Sequence, residues 1–131
     1  MNKLLFKTFA PLSLLILLAL PALAQVHDIN PAQARQLMNT TPDLVILDIR
    51  TPDEFHQGHI KGSVNIDFFA EDFNEKINML DKTKPYFIYC RSGQRSHVAT
   101  SSMDKNGFVE IHNLTQGINA WTDKGYPLTR K

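Results

Sequence analysis

Short apolar runs that alternate with segments of helical spacing constrain this chain more than any other feature. Leu44-Val45-Ile46-Leu47 is apolar without a break, and so, but for its proline, is Pro85 to Tyr89, which ends at Cys90. Such runs read as strands buried on both faces, the habit of parallel sheets. Ser63 to Ile66 and Glu110 to Leu114 are further strand candidates. Between them, Asn30 followed by Pro31 marks a helix start, with Ala34, Leu37 and Met38 on one face and an end near Asn39. Phe69, Phe73, Ile77 and Leu80 repeat at helical spacing, Val98, Ala99 and Met103 mark another helix closed by Gly107, and a last one spans Ile118 to Lys124. Strands and helices in alternation predict an α/β domain with a mainly parallel sheet flanked by helices on both faces. Ligand sites in such sheets lie beyond the carboxyl ends of the strands, where Asp48 and Cys90 both fall.

The first 24 residues stand outside that pattern. Lys3 and Lys7 precede a leucine-rich run from Leu12 to Leu20, then Pro21 and Ala22-Leu23-Ala24. This is the order of a secretory signal peptide, with cleavage expected before Gln25 and an apolar run short for a membrane span. The reading is a leader over residues 1–24 and one domain over 25–131, periplasmic or secreted, with no stable membrane anchor after cleavage. A chain of 131 residues, 43% hydrophobic and 21% charged, suits a single globular core. Its formal charge of +1 and lack of basic runs give no field for nucleic acid or anionic lipid.

Cys90 is the only cysteine, so an internal disulfide is excluded even in an oxidising compartment. It opens the stretch Cys90-Arg91-Ser92-Gly93-Gln94-Arg95-Ser96, between a strand and a helix predicted to start near Arg95. A loop there can turn its backbone N–H groups toward one point, and the helix dipole and two arginines add positive potential. That field favours a thiolate, and cysteines so placed have pKa values lowered to roughly 3.5–7.5. Gly93 suits a tight loop that needs positive φ. The competing reading is a small core residue beside an ordinary turn.

The chain resembles the rhodanese family along nearly all of residues 25–131. The likeness is carried by Leu47-Asp48-Ile49-Arg50 leading into Asp53-Glu54-Phe55-His56-Gln57-Gly58-His59-Ile60-Lys61-Gly62-Ser63-Val64-Asn65-Ile66, by the Cys90 to Ser96 loop, and by Gly107-Phe108 with Leu114-Thr115-Gln116-Gly117-Ile118-Asn119-Ala120-Trp121 ahead of Gly125-Tyr126-Pro127. Gln116 stands where the family often has glycine. The resemblance implies a five-stranded sheet and a two-step sulfur transfer in which Cys90 takes sulfane sulfur from a small anionic donor such as thiosulfate, holds it as a persulfide, and yields it to cyanide, a thiol or a partner protein. Arg91, Ser92, Gly93, Gln94, Arg95 and Ser96 would bind the donor and stabilise the transferred sulfur, with Asp48 and Arg50 as support. No metal or organic cofactor is implied.

Phosphatases and arsenate reductases of the same fold have loops one residue longer, whereas four residues separate Cys90 from Arg95 here, a size suited to one sulfur atom. A persulfide carrier or anion-binding module serving a protein partner is the alternative to a turnover enzyme. Oligomeric state is not legible. Other residues have plainer readings. Arg50 is placed to pair with Glu54. His59 is read as structural and His97 as a surface residue, while His27, His56 and His112 lack metal-ligand spacing. Trp121, Phe108 and Tyr126 are read as closing the core near the carboxyl end.

Overall fold

The computed structural model describes residues 25–131; the leader assigned to residues 1–24 lies outside them. The order is β1 (Gln25–Ile29), α1 (Pro31–Thr40), β2 (Val45–Asp48), α2 (Pro52–Gln57), β3 (Val64–Asn65), α3 (Phe73–Asn78), β4 (Pro85–Tyr89), α4 (Gln94–Lys105), β5 (Glu110–Leu114) and α5 (Gly117–Asp123). The five strands form one sheet in the order β1-β5-β4-β2-β3, and every ladder is parallel. All five residues of the central β4 are buried, which is why its sequence is apolar without alternation.

Side chains of β4 serve two cores in turn. Tyr86 and Ile88 join Leu47, Ile49, Met103 and Phe108 on the side covered by α3 and α4. Phe87 and Tyr89 join Ile46, Leu114, Ile118 and Trp121 on the side of α1 and α5. Phe108 and Trp121, read together from the sequence, therefore lie on opposite faces of the sheet. Trp121 meets Tyr126 edge-on at 5.1 Å, while Phe108 meets Tyr86.

Local chemistry sets the helix starts. Asn30 accepts from the Gln33 N–H while the Gln33 side chain accepts from the Asn30 N–H, both at 2.9 Å, with Pro31 in the first turn. Thr51, Pro52 and Glu54 repeat the device at α2. Two expectations shift. The helix anticipated from Phe69 begins only at Phe73, because the chain first turns on Asp67, whose carboxylate accepts the Phe69 N–H, and Phe69 is left 67% exposed. Val98 faces solvent, and α4 is buried instead through Ser96, Ala99, Thr100 and Met103. Strand β1, not marked by its own sequence, pairs along β5 from Gln25↔Glu110 to Ile29↔Leu114.

The tail returns to the connection after α2. His59 and Thr129 exchange backbone hydrogen bonds of 2.9 and 2.8 Å, and the buried His59 ring stacks on Phe55 at 3.7 Å. That is the structural role read for His59, and His97 is exposed, as read. Among the described residues no helix is long and apolar enough to cross a membrane.

Candidate active site

Strands β2 and β4 are neighbours in register, Asp48 beside Tyr89, so the turns that follow them emerge together at the carboxyl edge of the sheet. One turn carries Asp48 and Arg50, the other Cys90. The Cys90 loop is fixed by backbone contact on the far side. The first N–H groups of α5 catch it, Ile118 donating to the Cys90 carbonyl at 2.9 Å and Asn119 to the Arg91 carbonyl at 3.2 Å. Gly117 permits that approach, since a Cβ there would stand 2.4 Å from the Arg91 carbonyl oxygen. Gly93 caps α4 at φ 97°, and a Cβ on it would lie 1.8 Å from the Thr115 carbonyl oxygen. Gln116 takes φ −107°, open to any residue, so its departure from glycine costs no strain.

The thiol sits inside this ring, with Cys90 only 1% exposed. The Gly93 N–H donates to Sγ at 3.1 Å. The thiol lies 3.6 Å from Ser96 Oγ, which itself donates to the Gly93 carbonyl at 3.1 Å. Burial is the largest influence on the ionisation of Cys90 and opposes the thiolate. Hydrogen bonds from the N–H groups of Ser96, Gly93 and Ser92, with the Ser96 hydroxyl beside the sulfur, together outweigh it, so the pKa falls below the ordinary thiol value.

The arginines are arranged differently from the sequence expectation that both would converge on the thiol. Arg95 makes a two-pronged pair with Glu54, Nη1 to Oε2 and Nη2 to Oε1, each 3.0 Å, and lies over the Phe69 ring at 5.3 Å. The Glu54 carboxyl is held at about 2, chiefly by Arg95, with the Thr51 N–H and hydroxyl assisting against burial. Arg91 is exposed and makes no ion pair among the described residues. It lines a cleft of about 380 Å³ with Arg50, Glu54, Gly58 and Asn119. Gln94 opens α4, one residue earlier than anticipated, and is exposed like Ser92.

Asp48 and Arg50 pair with each other, so the expected Arg50–Glu54 pair does not form. Asp48, fully buried, accepts from the Arg50 N–H at 2.9 Å and from Nε and Nη2, the last at 2.6 Å. Arg50 Nη2 also donates to the Gly58 carbonyl at 2.7 Å. Both side chains are buried, so this corner is not a solvated turn. Asn65, missed at the sequence level, clamps this corner by donating to the Asp48 and Arg50 carbonyls at 2.9 and 2.8 Å. Glu54 was also missed as a partner of the loop. It is the last residue of a Thr-Pro-Asp-Glu start, which identifies it as a capping residue and leaves its other partner unmarked.

Fold and site together define an α/β domain with one buried thiol cradled by backbone N–H groups at the carboxyl edge of a parallel sheet. The family model described as Rhodanese-like domain matches residues 30–124, and the chain belongs to that family. Over 103 residues it is 32% identical to a sulfurtransferase of Allochromatium vinosum, covering 79% of this chain and 94% of that protein. It is 31% identical over 101 residues to "Putative sulfur carrier protein YrkF" of Bacillus subtilis, covering 77% of this chain but only 54% of the relative. Among solved structures, a rhodanese-related protein from Thermoplasma volcanium superposes with a TM-score of 0.70 at 28% identity, over 80% of this chain and 99% of the other.

Proposed function

We propose that this chain is a sulfurtransferase that carries sulfane sulfur on Cys90 as a persulfide. The observation that carries the reading is the cradle, where N–H groups of Ser92, Gly93 and Ser96 face one buried sulfur and lower its pKa. The Cys90 thiolate attacks the outer sulfur of an anionic donor such as thiosulfate, and sulfite leaves with the electron pair of the broken S–S bond. The same N–H groups then stabilise charge on the added sulfur. Arg91, uncommitted at the rim of its cleft, suits the anionic donor. Arg95 shapes the loop through Glu54. Four residues between Cys90 and Arg95 favour a single sulfur atom over a tetrahedral oxyanion. The sulfurtransferase and sulfur-carrier names of the relatives support the same chemistry. We place residues 1–24 as a cleaved leader and the domain outside the cytoplasm.

The test is thiosulfate:cyanide sulfurtransferase activity of residues 25–131 beside Cys90→Ser, with thiocyanate and sulfite measured. Turnover that disappears in the variant supports the enzyme. A folded protein with reduced thiol and no turnover sinks the small-donor reading. The carrier reading has one observation in its favour: Cys90 has no second cysteine to resolve its persulfide. A one-sulfur mass gain on Cys90 without turnover would select it.

A further inference from the structure

Phe69 is held outward at the rim of the site by the turn that carries it. That turn is tied inward through its neighbour: the Phe68 N–H donates to the Ile49 carbonyl at 3.2 Å, and the Phe68 ring packs against the core, meeting Phe73 at 5.1 Å. The Asp67 carboxylate then fixes the next residue by accepting the Phe69 N–H at 2.9 Å. A single exposed apolar residue is ordinary on a protein surface. What stands over this ring is the Arg95 cation, 5.3 Å from its centre. Glu54 grips the edge of the same guanidinium through Nη1 and Nη2, each at 3.0 Å. A carboxylate alone leaves the guanidinium free to swing about that edge. The ring removes this freedom and displaces water from its side of the cation. The Arg95 charge acts on Glu54 first, and also on Cys90 and on Asp48, which Arg50 already neutralises.

We propose that Phe69 is a positioning residue for the reaction at Cys90: by holding the Arg95 cation in place and shielding it from water, it sets how strongly that charge favours the thiolate. The inference rests on Cys90 as the reacting thiol of the reading above. Three elements meet here, α2 through Glu54, α4 through Arg95 and the turn after β3 through Phe69. Loss of the ring admits water to the guanidinium while Glu54 still holds it. A better screened cation favours the thiolate less, so the thiol titrates at higher pH. The sign is opposite to that of releasing Arg95 from Glu54, which lets the cation move toward the sulfur. A ring that merely propped up the turn would act through Phe68, which it meets edge-on at 5.6 Å, and would do so whether or not a cation stood over it.

The experiment follows the rate of Cys90 alkylation by iodoacetamide against pH. Because Phe69 is 67% exposed, its replacement leaves the core untouched. Phe69→Leu, which keeps an apolar side chain and removes the ring, is expected to raise the midpoint by roughly 0.3–0.5 in pH. Phe69→Tyr, which keeps the ring, should titrate like the unaltered protein. In the Arg95→Gln background Phe69→Leu should change nothing, since no cation remains for the ring to hold. A midpoint unmoved or lowered by Phe69→Leu overturns the proposal. So does an equal rise in Phe69→Tyr or in the Arg95→Gln background, either of which would make the ring a structural support only. Alkylation needs no sulfur donor. An intact protein that transfers no sulfur would therefore overturn the persulfide reading, while the midpoints would still decide the role of Phe69.

Discussion

Two ion pairs stand beside the Cys90 loop, and they differ in almost everything except length. Asp48 and Arg50 lie two residues apart at the end of β2, 2.6 Å from each other, with side-chain exposures of 0% and 7%. Glu54 and Arg95 are 41 residues apart, 3.0 Å from each other, with exposures of 26% and 17%. The first pair is internal to one corner and nearly every polar atom is used, by the Arg50 N–H, the Gly58 carbonyl and the Asn65 clamp on the neighbouring carbonyls. The second crosses from α2 to α4 at the edge of solvent. A sealed pair in low dielectric contributes rigidity and is costly to break on one side; an open pair contributes less and responds to pH and salt.

Asp48→Ala should therefore have the largest effect. It leaves the Arg50 guanidinium buried with the Gly58 carbonyl as its remaining partner. Removing one member of a buried pair typically costs about 3–5 kcal/mol. Urea unfolding of residues 25–131 measures it. A loss under about 1 kcal/mol would mean that water reaches Arg50 and that the contrast between the two pairs is false.

Glu54 should contribute less, and over a defined pH range. Arg95 is the main cause of its depressed pKa, about 2 against an ordinary 4.5. A carboxyl depressed on folding stabilises the fold at pH above its unfolded value, and that contribution disappears as pH falls from 4.5 toward 2. Each unit is worth about 1.4 kcal/mol, and partial exposure reduces the total to about 1–2 kcal/mol. Glu54→Gln should lose this amount at neutral pH and show a flatter acid limb between those values. An unchanged limb would assign acid sensitivity to another group. The same variant sharpens the site argument, because Arg95 already interacts with Cys90 through charge. Freed from Glu54, Arg95 should favour the thiolate further, so the pH midpoint of Cys90 alkylation should move down.

The sequence displayed the scaffold more clearly than the pairing. Buried central strands must be apolar, so β2 and β4 were legible, and Asn30-Pro31 announced α1 through its own capping chemistry. Strand β1 was not legible. An edge strand reading Gln-Val-His-Asp-Ile, with four of five residues exposed, has no continuous apolar run. Within the site, the thiol, the loop and Gly93 were visible as neighbours in the chain. Gly117 and Asn65 acquire their roles from backbone that is distant in sequence, and neither residue type reveals such contacts. The choice of partner for Arg50 was misjudged because spacing alone does not separate Asp48 at i−2 from Glu54 at i+4. The buried carboxylate prevails since it must be paired, whereas Glu54 reaches Arg95 from the rim.

A third pair tests whether burial, and not distance, separates the first two. Lys76 and Asp72 approach to 3.0 Å on α3, the same distance as Arg95 and Glu54, but their side chains are 54% and 50% exposed. Lys76→Gln keeps a similar helix propensity while removing the charge. If contact distance governed these interactions, its cost would equal that of Glu54→Gln. Solvent screening and the entropy of holding two mobile side chains predict only about 0.3–0.5 kcal/mol, vanishing in molar salt. Equal losses for the two variants would leave the Glu54–Arg95 pair an ordinary surface contact, and its depressed carboxyl would then owe more to the Thr51 cap than to Arg95.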